Sequence, residues 1–186
     1  LEDYWTTTSQ NAGIAGTGHI NNATGDLSFT IGTLSSTDSL MPYTPTLTYN
    51  AAIADYSNIF ANAEVPYKAS NAGYGFKWSM SESIVERTYM GENDTEVTYY
   101  VWSDADGTEH YFTLCVDASG NTVYKDEDGL QMTLTSDSSS YTITDSGKTV
   151  RTFTRTSSNI KPGGVLSKIT DVSGNYISFN PNSYGR

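Results

Sequence analysis

Carboxylates next to glycine are the first residues in this chain that could do chemistry. "DADGT", Asp104 to Thr108, and "DEDG", Asp126 to Gly129, look like the start of a calcium-binding loop. An EF-hand loop needs further oxygen ligands and a closing Glu at its twelfth position, and Cys115 stands there for the first candidate. The same residues suit a hairpin turn in which Asp accepts hydrogen bonds from its own backbone, and this reading is favoured. The two histidines, His19 and His110, lie far apart without metal-ligand spacing, and no serine sits in a nucleophile-elbow pattern. Cys115 is the single cysteine, which rules out an internal disulfide and any Cys-rich zinc site. It reads as a small half-buried hydrophobe on a strand. Two acids placed for glycoside hydrolysis would need a cleft, whereas most acids here stand at turns. The expectation is a non-enzymatic chain with no cofactor and no metal site.

Aromatic residues offer the other chemistry, stacking against sugars. Tyr4, Trp5, Tyr74, Phe76, Trp78, Tyr99, Tyr100, Trp102 and Tyr111 could supply a platform, with Trp5, Trp78 and Trp102 as the named ligand-stacking candidates. Strand aromatics more often pack across neighbouring strands, so packing is the favoured role.

The elements that must position these residues are strands. The chain has 186 residues, enough to bury a core, with 37% hydrophobic, 12% aromatic and only 17% charged residues. Fourteen tyrosines amid abundant Ser, Thr, Asn and Gly point to an all-β protein. From Val97 onward, β runs alternate with Asp/Ser-Gly turns: "VTYYVW", "EHYFTLCV", "TVY", "LQMTLT", "YTIT", "TVRTFT", "LSKIT" and "NYISF". Period-2 alternation puts His110, Phe112, Leu114 and Val116 on one face, Leu130, Met132 and Leu134 on another, and Ile177 with Phe179 on a third. The fold expected is a succession of antiparallel hairpins in one continuous curved sheet. Residues 1–50 read as opening strands, 51–75 as a loop or short helix near 53–61, and 76–186 as the hairpin succession of a single β-rich module.

With 10 basic against 21 acidic residues, the formal charge of −11 repels polyphosphate and anionic lipid, so neither nucleic acid nor membrane is an expected partner. No apolar run approaches the ~20 residues that span a bilayer. "LEDYWTTTSQ" lacks a secretion signal and an initiating Met, and the chain reads as a piece of a longer polypeptide.

Three segments carry a family resemblance. "LEDYWTTTSQNAGIAGTGHINNATGDLSF" resembles the opening of bacterial RHS/YD-repeat proteins, "GLE-x-YW" followed by "G-x-G-x-x-N-x-x-x-G-x-L". "PTLTYN" and "GYGFKWSMSESI" are similar to that family's "R-x-YNS" and "G-x-GW-x-x-S-x-x-x-x-I", with Phe76 at the usual Trp position and Trp78 displaced by two. "LSKITDVSGNYISF" is similar to the unit "L-x-x-I-x-D-x-x-GN-x-I-x-F" that introduces the repeats. Wall-associated Gram-positive members are the nearest subgroup.

The resemblance implies a large secreted protein whose β-sheet winds into a shell around a C-terminal, often toxic, domain. This stretch would be the non-catalytic N-terminal part of that shell, located outside the cell or in the wall, with the rest of the same polypeptide as partner. A module binding carbohydrate or cell-wall polysaccharide is the alternative. No tandem "G-x-x-x-R-Y-x-Y-D" repeat is present, and no catalytic residue of the family maps onto this chain.

Overall fold

The computed structural model describes residues 7–32, 40–51, 75–156 and 163–180. The segment expected to hold a short helix near 53–61, and the candidate Trp5, lie outside these residues, as do Tyr4 and Tyr74. The fold is all-β and antiparallel, and it divides into two compact units. One comprises Leu1–Glu82 with Asp104–Thr108, the other Ser83–Ser103 with Glu109–Arg186.

The first unit holds a five-stranded meander in the order β1-β2-β3-β4-β5. Its strands are β1 (Thr7–Asn11), β2 (Thr17–Asn21), β3 (Leu27–Gly32), β4 (Thr46–Asn50) and β5 (Phe76–Trp78). Between β1 and β2 the chain bends through Gly16 at φ 121°, where an added Cβ would run into the carbonyl oxygen of Thr30. Only glycine fits that close approach. Among the described residues of this unit, the buried side chains are polar: Ser28, Thr48, Lys77, Ser79 and Glu82. Thr30 and Thr48 share a hydroxyl hydrogen bond of 3.2 Å across β3 and β4, and the rings of Tyr49 and Phe76 meet edge to face at 5.3 Å.

The second unit is a closed eight-stranded barrel with one additional strand. Around it run β6 (Ser83–Met90), β7 (Glu96–Ser103), β8 (Glu109–Val116), β9 (Thr122–Asp126), β10 (Thr133–Ser136), β11 (Ser140–Thr144), β12 (Val150–Thr156) and β13 (Gly163–Thr170). Each pairs antiparallel with its successor, and β13 returns to β6 at Gly163↔Val85, Gly164↔Ile84 and Val165↔Ser83. The curved sheet expected from the sequence thus closes on itself, which removes most of its open edges.

Closure has a local cause in β13. Gly164 lies where a Cβ would come within 2.9 Å of the Tyr141 ring and 3.1 Å of the Thr154 carbonyl oxygen, so a larger residue would hold the strands apart. One edge of β13 pairs with β12 along the strand, leaving the other for β6 at Gly163–Val165 and for β14 (Tyr176–Ser178) at Lys168–Thr170. The changeover falls at Ser167. There the β12 register shifts by one residue, the Ser167 hydroxyl donates to the Thr152 carbonyl at 3.0 Å, and the Phe179 amide donates to the Ser167 carbonyl at 2.8 Å. This is a β-bulge at a barrel rim, which bends the strand toward a new partner.

Inside the barrel, Ile84, Tyr100, Trp102, Phe112, Leu134, Tyr141, Ile143, Phe153 and Leu166 form one buried cluster, with Tyr124, Met132, Ile169 and Phe179 packed against it. The alternation read from the sequence holds for His110 and Phe112, which are buried. Leu114 and Val116 continue the same face yet stand 51% and 68% exposed, because the β7 ladder stops at Tyr100↔Phe112 while β8 runs on. Leu134 is in the core, whereas Leu130 belongs to the turn before β10, where Gln131 takes φ 58° and breaks the period.

The hairpin turns share one device. In "DADGT", "DASGN" and "DVSGN", the first Asp closes the loop through its backbone amide to the carbonyl of the fifth residue, at 3.0, 2.8 and 2.9 Å. Its Oδ1 accepts the amides inside the loop, and the fourth residue is a glycine at φ 92°, 83° and 88°. "DSGKT" is the variant: Lys148, not Gly147, takes the left-handed position at φ 66°.

Candidate functional site

Polar side chains concentrate at both ends of the barrel interior. At one end, Arg155 on β12 lies 4.0 Å above the Tyr141 ring and donates to the Tyr141 hydroxyl at 2.6 Å, the Ser136 hydroxyl at 2.5 Å and the Asp137 carbonyl at 2.7 Å. A planar guanidinium can make all these bonds at once, so Arg155 fastens the β10–β11 turn to β12. Tyr141 also meets Tyr100 edge to face at 5.5 Å, and Tyr100 meets Tyr124 at 4.7 Å. Burial pushes the Tyr141 phenol up to about 12; the Arg155 charge opposes this and Glu86 adds to it.

At the other end, His110 Nδ1 lies 3.0 Å from Asp128 Oδ2, and the Trp102 ring lies 4.7 Å from the His110 ring. Arg151 sits 5.5 Å from the centre of Trp102 and 3.6 Å from Asp145 Oδ2. With Asp128 ionised, His110 carries its proton on Nδ1 and donates it to the carboxylate. A His–Asp pair can serve as a general base, but His110 is 1% exposed and its ring is covered by Trp102. The pair satisfies two polar groups at the edge of an aromatic core, as buried polar atoms require.

The two loops considered for calcium use their carboxylates internally. Asp104 Oδ1 accepts the amides of Asp106, Gly107 and Thr108 at 3.1, 3.0 and 2.9 Å. Asp106 Oδ1 accepts the Thr108 amide and hydroxyl at 3.0 and 2.6 Å. Burial would raise the Asp106 pKa, but hydrogen bonds with Asp104 and Thr108 outweigh it and hold this carboxyl far below the usual carboxylate range. In the second loop, Asp126 accepts the amides of Leu130 and Met132 at 2.6 and 2.5 Å, and Asp128 faces His110. Among the described residues, no three His, Cys, Asp or Glu side chains gather into a metal-ion cage.

The three tryptophans do not form one described platform. Trp102 is 4% exposed inside the barrel, so its ring is a core element with no face for a ligand on the outer surface. Trp78 is half-buried on β5 of the other unit, and Trp5 lies outside the described residues. Cys115, on β8 opposite Val123, is half-buried and carries a free thiol.

A row of tyrosines occupies the opposite face of the barrel strands from that core. Tyr89 on β6, Tyr99 on β7 and Tyr111 on β8 follow one another at ring separations of 5.9 and 6.3 Å, the second pair nearly parallel at 20°. Tyr89 is 52% exposed, and Tyr99 and Tyr111 are half-buried. The Tyr111 hydroxyl donates to Glu109 Oε2 at 3.0 Å, and burial together with that carboxylate pushes the phenol up to about 12. Residue type alone groups Tyr99 and Tyr111 with the core residues Tyr100 and Trp102. Strand parity separates them: Tyr99 and Tyr111 fall on odd positions, the core residues Tyr100, Trp102 and Phe112 on even ones.

In comparisons with protein-family models, curated proteins and solved structures, nothing matches this chain.

Proposed function

We propose that this chain is a non-catalytic structural module of a large secreted polypeptide of the RHS/YD-repeat kind, acting outside the cell or in the wall. The observation that carries this reading is the divided edge of β13. Half of it closes the barrel against β6, and the other half holds β14, a short strand whose far side pairs with nothing among the described strands. A sheet can continue by adding strands to such an edge, each backbone ladder templating the next. The resemblance of "LSKITDVSGNYISF" to the unit that introduces the repeats supports the same direction of growth. The module would then be a closed foundation from which the shell around a C-terminal domain starts, with the remainder of the polypeptide as its partner. The filled barrel interior and the turn-bound carboxylates fit a structural role.

The test is sedimentation velocity over a range of concentrations. The chain should self-associate through β14, and placing glutamates at its exposed positions, Tyr176→Glu with Ser178→Glu opposite Lys168, should abolish association while circular dichroism shows the barrel still folded. A wild-type chain that stays monomeric at every concentration would sink the proposal. The alternative, a carbohydrate or cell-wall binding module, is supported by the tyrosine row on the outer barrel face, of which Tyr89 is exposed.

A further inference from the structure

We infer that Asn22 is an acceptor for N-linked glycosylation. This goes beyond the structural role and stands whether or not β14 carries further strands. The chain holds two triplets in which Asn is followed, one residue on, by Ser or Thr with no proline between: Asn22, Ala23, Thr24 and Asn93, Asp94, Thr95. That triplet is the acceptor pattern for a sugar on the asparagine amide, and a transferase can use it only where it reaches the surface. Asn22, Ala23 and Thr24 are all exposed, in the turn that joins β2 to β3.

The turn leaves this amide available, because Asn21 holds the loop. Asn21 Oδ1 accepts the amides of Ala23 and Thr24 at 2.9 and 3.3 Å, the Asn21 amide donates to the Asp26 carbonyl at 2.9 Å, and its carbonyl accepts the Gly25 amide at 2.8 Å. The Asn22 side chain is tied through Oδ1, which accepts from the Thr8 hydroxyl at 2.9 Å, and among the described residues its Nδ2 has no hydrogen bond to lose. A glycan on Nδ2 therefore leaves every bond of the turn in place. In the transfer, Nδ2 attacks the anomeric carbon of a sugar carried on a lipid or nucleotide diphosphate. The new C–N bond forms, the bond from that carbon to the phosphate oxygen breaks, the phosphate leaves with the electron pair, and the amide gives up one proton. The donor is anionic, which separates the two triplets. Glu92, Asp94 and Glu96 stand exposed around Asn93, whereas the neighbours of Asn22 from Ile20 to Thr24 carry no charge.

Intact mass and glycopeptide mapping of the full chain, recovered from the cells that make it, test the inference. Sugar mass is expected on the peptide that carries Asn22; single hexoses indicate a nucleotide-linked donor and an oligosaccharide a lipid-linked one. Thr24→Ala should abolish the modification, while Thr24→Ser, which keeps the hydroxyl, should preserve it. Circular dichroism verifies that both variants keep their strands. A bare Asn22, sugar that survives Thr24→Ala, sugar on the Thr24 hydroxyl in place of the amide, or sugar on Asn93 alone would each overturn the inference. None of these outcomes bears on self-association through β14, so the two readings fail separately.

Discussion

The barrel and the five-stranded sheet are both antiparallel meanders, yet they bury different chemistry. In the barrel, the buried set is aromatic and aliphatic, from Ile84 through Phe153 to Leu166. Among the described residues of the sheet strands, the buried positions are Ser28, Thr48 and Lys77, with hydroxyl hydrogen bonds such as Thr30 to Thr48 joining neighbouring strands. Closing a sheet gives one face a complete enclosure, so large apolar side chains gain the full benefit of leaving water. Cohesion in the sheet rests more on directional bonds, each of modest net value.

The sharpest way to break this contrast is to truncate one fully buried side chain of the kind that each region relies on. Phe153→Ala should destabilise the barrel by about 3–5 kcal/mol, whereas Thr48→Ala should cost the sheet about 1 kcal/mol. Urea unfolding followed by circular dichroism gives the totals, and hydrogen exchange assigns each loss to its region. Equal losses would mean that the sheet has a core of comparable strength. Gly164→Ala probes closure itself. The added methyl meets Tyr141, Thr154 and Phe153, and an overpacking cost of about 1–3 kcal/mol is expected, with faster exchange along the β13–β6 seam.

Acid tests the turns. Amide and hydroxyl hydrogen bonds from Ser139 and Ser140 hold the exposed Asp137 carboxyl at about 2, and similar bonds lower Asp117 and Asp171. A carboxyl depressed in the folded state stabilises it above the ordinary carboxylate pKa, and that contribution is lost as pH falls from about 4 through about 2. Urea midpoints should therefore fall over that window, and Asp137→Asn should show a shallower fall than the parent. The smallest effect expected is a gain. Lys148→Gly relieves a left-handed backbone but loosens the unfolded chain, a net stabilisation of about 0.5 kcal/mol measurable as a small rise in midpoint.

The turns were legible because their chemistry is local: Asp171, Gly174 and Asn175 specify their loop within five residues. Barrel closure was not legible. The pairing of Gly164 with Ile84 joins residues far apart in sequence, and nothing in either strand's alternation names its partner. For the same reason the His110–Asp128 pair went unseen: it joins a strand to the turn beyond the next one. The tryptophans were singled out by residue type, but position on the strand decides which ring meets water, and parity placed Trp102 inside and Tyr99 outside.

The divided edge of β13 also has a mechanical meaning. A pull on the chain beyond β14 loads the ladder Lys168↔Ser178, Ile169↔Ile177 and Thr170↔Tyr176 one rung after another, as a zipper opens. The seam between β13 and β12 spans the strand from Gly163 to Thr170, and its rungs stay shielded until β14 has peeled away. β14 should thus act as a fuse, yielding at low force and sparing the barrel, so that tension in a longer polypeptide would lengthen it at this joint before unfolding its foundation.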